Sequence, residues 1–170
     1  MSLVQDMMGK FKDGRFDAHE VEHGKCGYHI EAKIMDSQVR EFAQMMLDSQ
    51  FYLDFVTAVH VTPTLQIVYQ YGHFDQACRV NVKAMADSEG SIPTIADIFH
   101  GANWHERETH DFYGVFFKGN PDLRTLILSE EDADLKPLLK KEDKLVSVDA
   151  ITRKAGEEAD SKPVKTMKEE

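Results

Sequence analysis

The spacing of apolar residues changes period twice between Tyr28 and Val82, and that change constrains the fold more than any other feature of the chain. Tyr28, Ile30, Ala32 and Ile34 alternate with His29, Glu31 and Lys33, the period of two expected of a strand with one solvated face. Phe16 to Glu22 reads as its partner, reached through a turn at Gly24 and Gly27. Between Asp36 and Asp48 the pattern becomes helical: Val39, Phe42, Ala43, Met46 and Leu47 fall on one face, with Asp36 or Ser37 available as the cap. Period two then returns in Phe51, Leu53, Phe55, Val59 and Val61, again in Leu65, Ile67, Tyr69 and Tyr71 after Pro63, and again in Cys78, Val80 and Val82. Three strands joined by short turns predict an antiparallel meander. One amphipathic helix on the dry face of such a sheet predicts a two-layer, mostly antiparallel α+β domain, assigned to residues 1–140. Met45 and Met46 read as core filler and Tyr52, Tyr69 and Tyr71 as ordinary strand residues.

Composition narrows what such a domain is for. At 170 residues and 42% hydrophobic the protein is able to bury a core without staples. A net charge of −10, from 20 Lys and Arg against 30 Asp and Glu, disfavours nucleic acid and anionic membrane as partners. No apolar run approaches the roughly 18 residues of a spanning helix, and the start, Met-Ser-Leu-Val-Gln-Asp, lacks the parts of a signal peptide. The expectation is a soluble protein that stays in the cytoplasm. Cys26 and Cys78 are too far apart for a C-x-x-C element and too few for a cluster, and read as reduced core thiols. From Lys141 the sequence is rich in charge and free of aromatics. Residues 141–170 are therefore expected to form a tail, mobile from about Ser147 or ordered only on a partner, with Leu145, Val146, Val148 and Ile151 as its apolar contacts.

The stretch from Pro93 to Ile127 has a different texture, holding the only Trp and three of the eight His, with Gly114, Gly119 and Pro121 as punctuation. A zinc hydrolase would need histidines at i and i+4. His105 and His110 stand at i and i+5, about 140° apart on a helix of 3.6 residues per turn. Gly114 and Gly119 satisfy G-x-x-x-x-G, but Asn120 and Pro121 follow where a phosphate loop requires Lys and Ser or Thr. A glycosidase-like carboxylate pair drawn from Glu106, Glu108 or Asp111 is less economical than ion pairing, with Arg107 four residues before Asp111. If Asn103 to Phe112 is helical, Trp104, Glu108, Asp111 and Phe112 share a face that needs fixed cations, from Arg107 and Arg124 or from another protein. Arg and Trp at the edge of an α+β core read as an interaction site. The alternative from another class is a small metal-dependent hydrolase using His100, His105, Glu106 and Asp111.

Those residues carry a family resemblance. Ile92-Pro93-Thr94, Asp97-Ile98, Ala102-Asn103-Trp104, Glu106-Arg107-Glu108, Asp111, Gly114, Phe117 and the run from Gly119 to Arg124 resemble the signature of the thirty-kilodalton subunit family of NADH:quinone oxidoreductase, respiratory complex I. The resemblance spans residues 92–128. It departs from the family's pattern at His110 in place of Tyr, Tyr113 in place of Phe or Trp, Asn120 in place of His and Thr125 in place of Arg. Downstream, Lys136 to Asp143 follows the family's H-P-L-R-K-D-Y only in part. The resemblance implies a subunit with no cofactor and no catalytic residue of its own. Such a subunit is held in the hydrophilic arm, on the cytoplasmic face of a membrane complex, against a hydrogenase-large-chain-like subunit and a neighbouring iron-sulfur subunit. Relatives of this kind also occur in energy-converting hydrogenases. The residues implied in partner contact are Trp104, Glu106, Arg107, Glu108, Asp111, Phe112, Gly114, Phe117, Gly119, Pro121, Asp122, Leu123 and Arg124.

Overall fold

A computed structural model describes residues 2–12, 15–141 and 144–147. Its centre is a five-stranded sheet of β1 (Asp17–Glu20), β2 (Ile30–Ile34), β3 (Phe51–His60), β4 (Leu65–His73) and β5 (Arg79–Met85), in the order β1-β2-β5-β4-β3. The β3-β4-β5 meander is antiparallel, as its short turns require. β1 runs antiparallel to β2, with a single helical turn, α2 (His23–Cys26), between them. The β2–β5 pairing is parallel, and alternation alone does not reveal it. It arises because α3 (Val39–Asp48) carries the backbone across one face of the sheet before the meander returns to β2.

Val39, Phe42, Ala43 and Met46 are buried on α3, whereas Leu47, expected on that face, is exposed. Neither Asp36 nor Ser37 caps α3. Residues Asp36–Gln38 form a tighter turn, in which Gln38 Oε1 accepts the Met35 N–H at 2.9 Å. A second helix, α1 (Leu3–Phe11), packs beside it, capped by the Ser2 hydroxyl. Phe11 stacks on Phe42 at 5.5 Å and Phe16 meets Phe42 edge-on at 5.0 Å. Burying each such ring contributes roughly 1.5–3 kcal/mol, so α1 is bound into the core. The spacing Leu3, Met7, Phe11 was its sequence signal.

The core lies on one side of the sheet. Ile30, Ala32 and Ile34, then Val80, Val82 and Ala84, then Ile67, Tyr69 and Tyr71 face the helices in one cluster. The other side carries polar pairs: Glu31 accepts from Lys83 at 2.8 Å and from Tyr28 at 2.6 Å, and Asn81 donates to Gln70 at 3.0 Å. Cys78 is buried, and burial pushes its thiol up to about 11. Cys26 is exposed, contrary to expectation, because α2 is one turn long and buries none of its residues.

After the sheet come β6 (Ser91–Pro93), α4 (Ala102–Tyr113) and β7 (Phe116–Lys118). β6 and β7 pair in parallel, Ile92 opposite Phe117, so the segment that reads as helix and loop is a small strand-helix-strand unit. Its strands of three residues are too short to show a period. α4 lies against β3, with Thr109 donating to the Val56 carbonyl at 3.3 Å. The backbone then returns to the end of β3, where Thr62 N–H donates to the Val146 carbonyl at 3.2 Å. Val148, Ile151 and the rest of the tail lie outside the described residues.

Candidate functional site

α4 exists because three of its side chains are held from below and its end is closed by glycine. Ala102, Glu106 and Thr109 are buried at helical spacing, together with Asp111. Gly114 ends the helix at φ 75°, a left-handed conformation that costs a residue with a Cβ about 1–2 kcal/mol. Gly114→Ala is therefore expected to lower stability by about that amount in urea denaturation, and an unchanged midpoint would show that the cap geometry is not needed.

Glu106 is fully buried and accepts from Thr94 Oγ1 at 2.5 Å, the Ile95 N–H at 2.9 Å and Asn120 Nδ2 at 2.7 Å. One carboxyl thus ties together the end of β6, the middle of α4 and the turn after β7. Burial raises its pKa, and the three donors only partly offset that. Arg40 braces the same corner from α3, with a two-pronged contact to Asp97 at 2.8 and 2.7 Å and a bond to the Thr94 carbonyl at 2.7 Å.

Asp111 is equally buried, and its partners are the successive N–H groups of Leu126, Ile127 and Leu128, at 2.9, 2.7 and 3.2 Å on Oδ2. Three consecutive amides turned onto one oxygen form an anion nest. Burial pushes the carboxyl up, but these donors outweigh it and hold it below its ordinary value. The expected Arg107–Asp111 pair is absent among the described residues, and Asp111 does not need a fixed cation because backbone amides supply its counter-dipole.

Arg107 turns instead to the loop below, donating to the Arg124 carbonyl at 3.0 Å and the Thr125 carbonyl at 2.8 Å, with Asp122 at 3.7 Å. Its guanidinium carbon also lies 5.9 Å from the Trp104 ring. Arg124 grips Asp122 at 2.7 and 3.0 Å and, with Arg107, holds that carboxyl down at about 2.

The residues implied in partner contact therefore divide. Glu106, Asp111 and Phe117 are interior, and Leu123 packs partly against the core. Gly114 and Gly119, at φ 75° and 88°, shape turns, and a Cβ on Gly119 would press on Thr94 at 3.4 Å. Trp104, Pro121 and Arg124 lie outward and Phe112 is half-buried. Trp104 is 62% exposed and Ile127 59%. Near the far end of α4, the Leu138 N–H donates to the Phe112 carbonyl, and Leu135, Leu138 and Leu139 are exposed around it. The result is an apolar outer edge resting on a polar, interlocked base.

His100, His105, Glu106 and Asp111 are not assembled into a site. Glu106 and Asp111 serve different loops, His100 is exposed, and no group of three metal-ligating side chains converges among the described residues. His110, at the position where the resemblance has Tyr, faces the Val115 carbonyl through Nδ1 at 2.9 Å. Thr94 and Asn120 were the structural residues that spacing missed as a pair, since their shared partner is a carboxyl on another element.

Known proteins are similar to this chain in sequence and fold. A relative from Mesorhizobium japonicum, a subunit of NADH-quinone oxidoreductase, is 30% identical over 135 residues, covering 75% of this chain and 65% of its own length. The mitochondrial NADH dehydrogenase [ubiquinone] iron-sulfur protein 3 of Candida albicans is 42% identical over 66 residues, 39% of this chain and 24% of its own. The matches thus span less than two thirds of these curated relatives. Among solved structures, a trypsin-resistant fragment of Nqo5 superposes with a TM-score of 0.60 at 19% identity, over 71% of this chain and 98% of that one. Part of the membrane-bound sulfane sulfur reductase, an archaeal respiratory membrane complex, does so with a TM-score of 0.69 at 20% identity, over 98% and 95%. These two likenesses show the fold. The family described as respiratory-chain NADH dehydrogenase, 30 Kd subunit, matches residues 32–145, and with that much of its length and the interlocked signature in register, the chain belongs to this family.

Proposed function

We propose that the protein is a non-catalytic subunit of a complex I-like membrane oxidoreductase, of the NADH:quinone or energy-converting hydrogenase type. It sits in the hydrophilic arm on the cytoplasmic face. Its outer α4 edge docks on the hydrogenase-large-chain-like subunit, beside the iron-sulfur subunit. The observation that carries this reading is the contrast within the signature. Glu106 is engaged by internal hydrogen bonds at both carboxyl oxygens and Asp111 at Oδ2, while Trp104, with Ile127 and Leu138 along the same edge, is left outward on a rigid base. A rigid exposed Trp beside Arg is the composition of an interface hot spot. Among the described residues no helix is long and apolar enough to cross a membrane, so membrane association would come through the complex.

Trp104→Ala separates docking from folding. A side chain this exposed adds little to its own domain, so the isolated protein should keep its stability within about 0.5 kcal/mol. Association with the large subunit, measured by titrating the two purified proteins, should weaken by about 2 kcal/mol or more. Arg107→Ala should disturb both, because it releases the loop from Asp122 to Thr125 as well as the Trp104 ring. Wild-type affinity in Trp104→Ala would remove this edge from the interface. Full assembly with collapsed activity per complex would argue for a direct catalytic role.

A further inference from the structure

The sheet face away from the helices ends, at the β4–β5 hairpin, in a cleft of about 330 Å³ to which the signature segment contributes nothing. Its walls bring His23 and His29 together with His73, Gln76 and Arg79, beside Tyr52. Every one of these side chains is able to donate a hydrogen bond, and no carboxylate lines the cleft. In a protein with 30 acidic and 20 basic side chains, that selection runs against the average.

Arg79 makes the asymmetry concrete. Arg40 and Arg124 each hold a carboxylate at 2.7 Å, but among the described residues no carboxylate lies within ion-pair distance of the Arg79 guanidinium. The Arg79 backbone N–H is given to His29 Nδ1 at 3.0 Å. Because Nδ1 accepts, the proton of the neutral ring belongs on Nε2. His73 is held the same way, its Nδ1 accepting from the Asp75 and Gln76 N–H groups at 3.1 and 3.2 Å. Backbone amides therefore turn two imidazoles into fixed Nε2–H donors. His23 stacks on His29 with ring centres 4.3 Å apart. Burial, His23 and Arg79, in that order, lower the pKa of His29, so the cleft resists further positive charge unless an anion offsets it. Gly72 makes room for Tyr52, since a Cβ there would stand 2.6 Å from the Tyr52 ring carbon Cζ and its hydroxyl.

We propose that this cleft binds a phosphate-type oxyanion, with the Arg79 guanidinium as its two-pronged partner and His29 and His73 donating from Nε2. The guanidinium fork matches two phosphate oxygens. A phosphate has further oxygens for the two imidazoles, whereas a carboxylate must share its two among all these donors. Phe74, exposed at the rim and 5.0 Å from the Tyr52 ring, offers an apolar contact to whatever carries the phosphate. The carrier is a small soluble phosphate compound or a lipid headgroup.

Histidine-ring NMR of the 170-residue protein, titrated with inorganic phosphate against sodium chloride at equal ionic strength, tests the site. The His29 and His73 signals should shift saturably with phosphate. His60, at the opposite end of β3 with its Nδ1 accepting from the Lys140 N–H, should stay in place. Arg79 is exposed, so Arg79→Gln should fold normally while weakening phosphate binding about tenfold or more. Vesicles of phosphatidylcholine with or without phosphatidic acid separate the two carriers. Sedimentation that needs both phosphatidic acid and Arg79 assigns a lipid headgroup, and phosphate binding without sedimentation assigns a soluble compound. The proposal is overturned by shifts that chloride reproduces, by His60 moving with His29, by tighter binding of acetate than phosphate, or by unchanged phosphate affinity in Arg79→Gln.

Discussion

Glu106→Ala is expected to lose about 3–5 kcal/mol of folding stability, from a cavity combined with stranded buried donors. The substitution leaves the buried Thr94 hydroxyl and Ile95 N–H, and the half-buried Asn120 amide, without their shared acceptor. It also unlinks β6, α4 and the turn after β7, so partner docking should fail with it. Glu106→Gln should lose only about 1–2 kcal/mol, because its single carbonyl oxygen serves Thr94 and Asn120 and leaves the Ile95 N–H stranded. The check is urea denaturation of both variants. Equal losses would mean that the second acceptor oxygen and its charge, and not side-chain volume, are what Glu106 supplies.

Asp111→Ala is expected to lose about 3 kcal/mol, since hydrogen bonds to a charged acceptor are worth about 1.5–3 kcal/mol each and the released amides regain some of that from water. The 126–128 segment should then exchange its amide hydrogens rapidly while the five-stranded sheet stays protected. Hydrogen exchange that is unchanged at Leu126, Ile127 and Leu128 would contradict the nest.

The two carboxyls should leave opposite marks on the pH dependence of stability. The pKa of Glu106 is raised above its ordinary 4.5, so its contribution is full below that value and is lost as pH rises through the raised one. Asp111 is lowered from 3.8, so its contribution is present above 3.8 and disappears as pH falls through the lower value. Denaturation midpoints should therefore fall at the acid end in wild type and less so in Asp111→Asn. Glu106→Gln should remove the decline on the other side.

Residue order alone determined the elements with a period, because burying one face of a helix or strand is a local demand that the spacing of side chains records. The alternation from Ile30 to Ile34, the stripe Val39, Phe42, Ala43, Met46 and the strands β4 and β5 stand where that spacing puts them. β3 forms where expected, but a register shift between Leu53 and Phe55 turns Phe55 outward and buries Val56 and Ala58 where the alternation named Phe55 and Val59. The family signature was legible for the same reason, as a set of residues at fixed intervals. Tertiary structure decided what depends on a distant partner. Which strand lies beside β2 follows from the path of α3 over the sheet, so the parallel β2–β5 pair left no local trace. β6 and β7 pair over only three residues each and are held by what Ile92 and Phe117 bury. The partners of Asp111 are backbone amides, and every non-proline residue has one, so no residue type announces them. Side chains from β3, the β1–β2 connection and the β4–β5 hairpin likewise meet in one donor-lined cleft that only the pairing of distant strands in the sheet assembles.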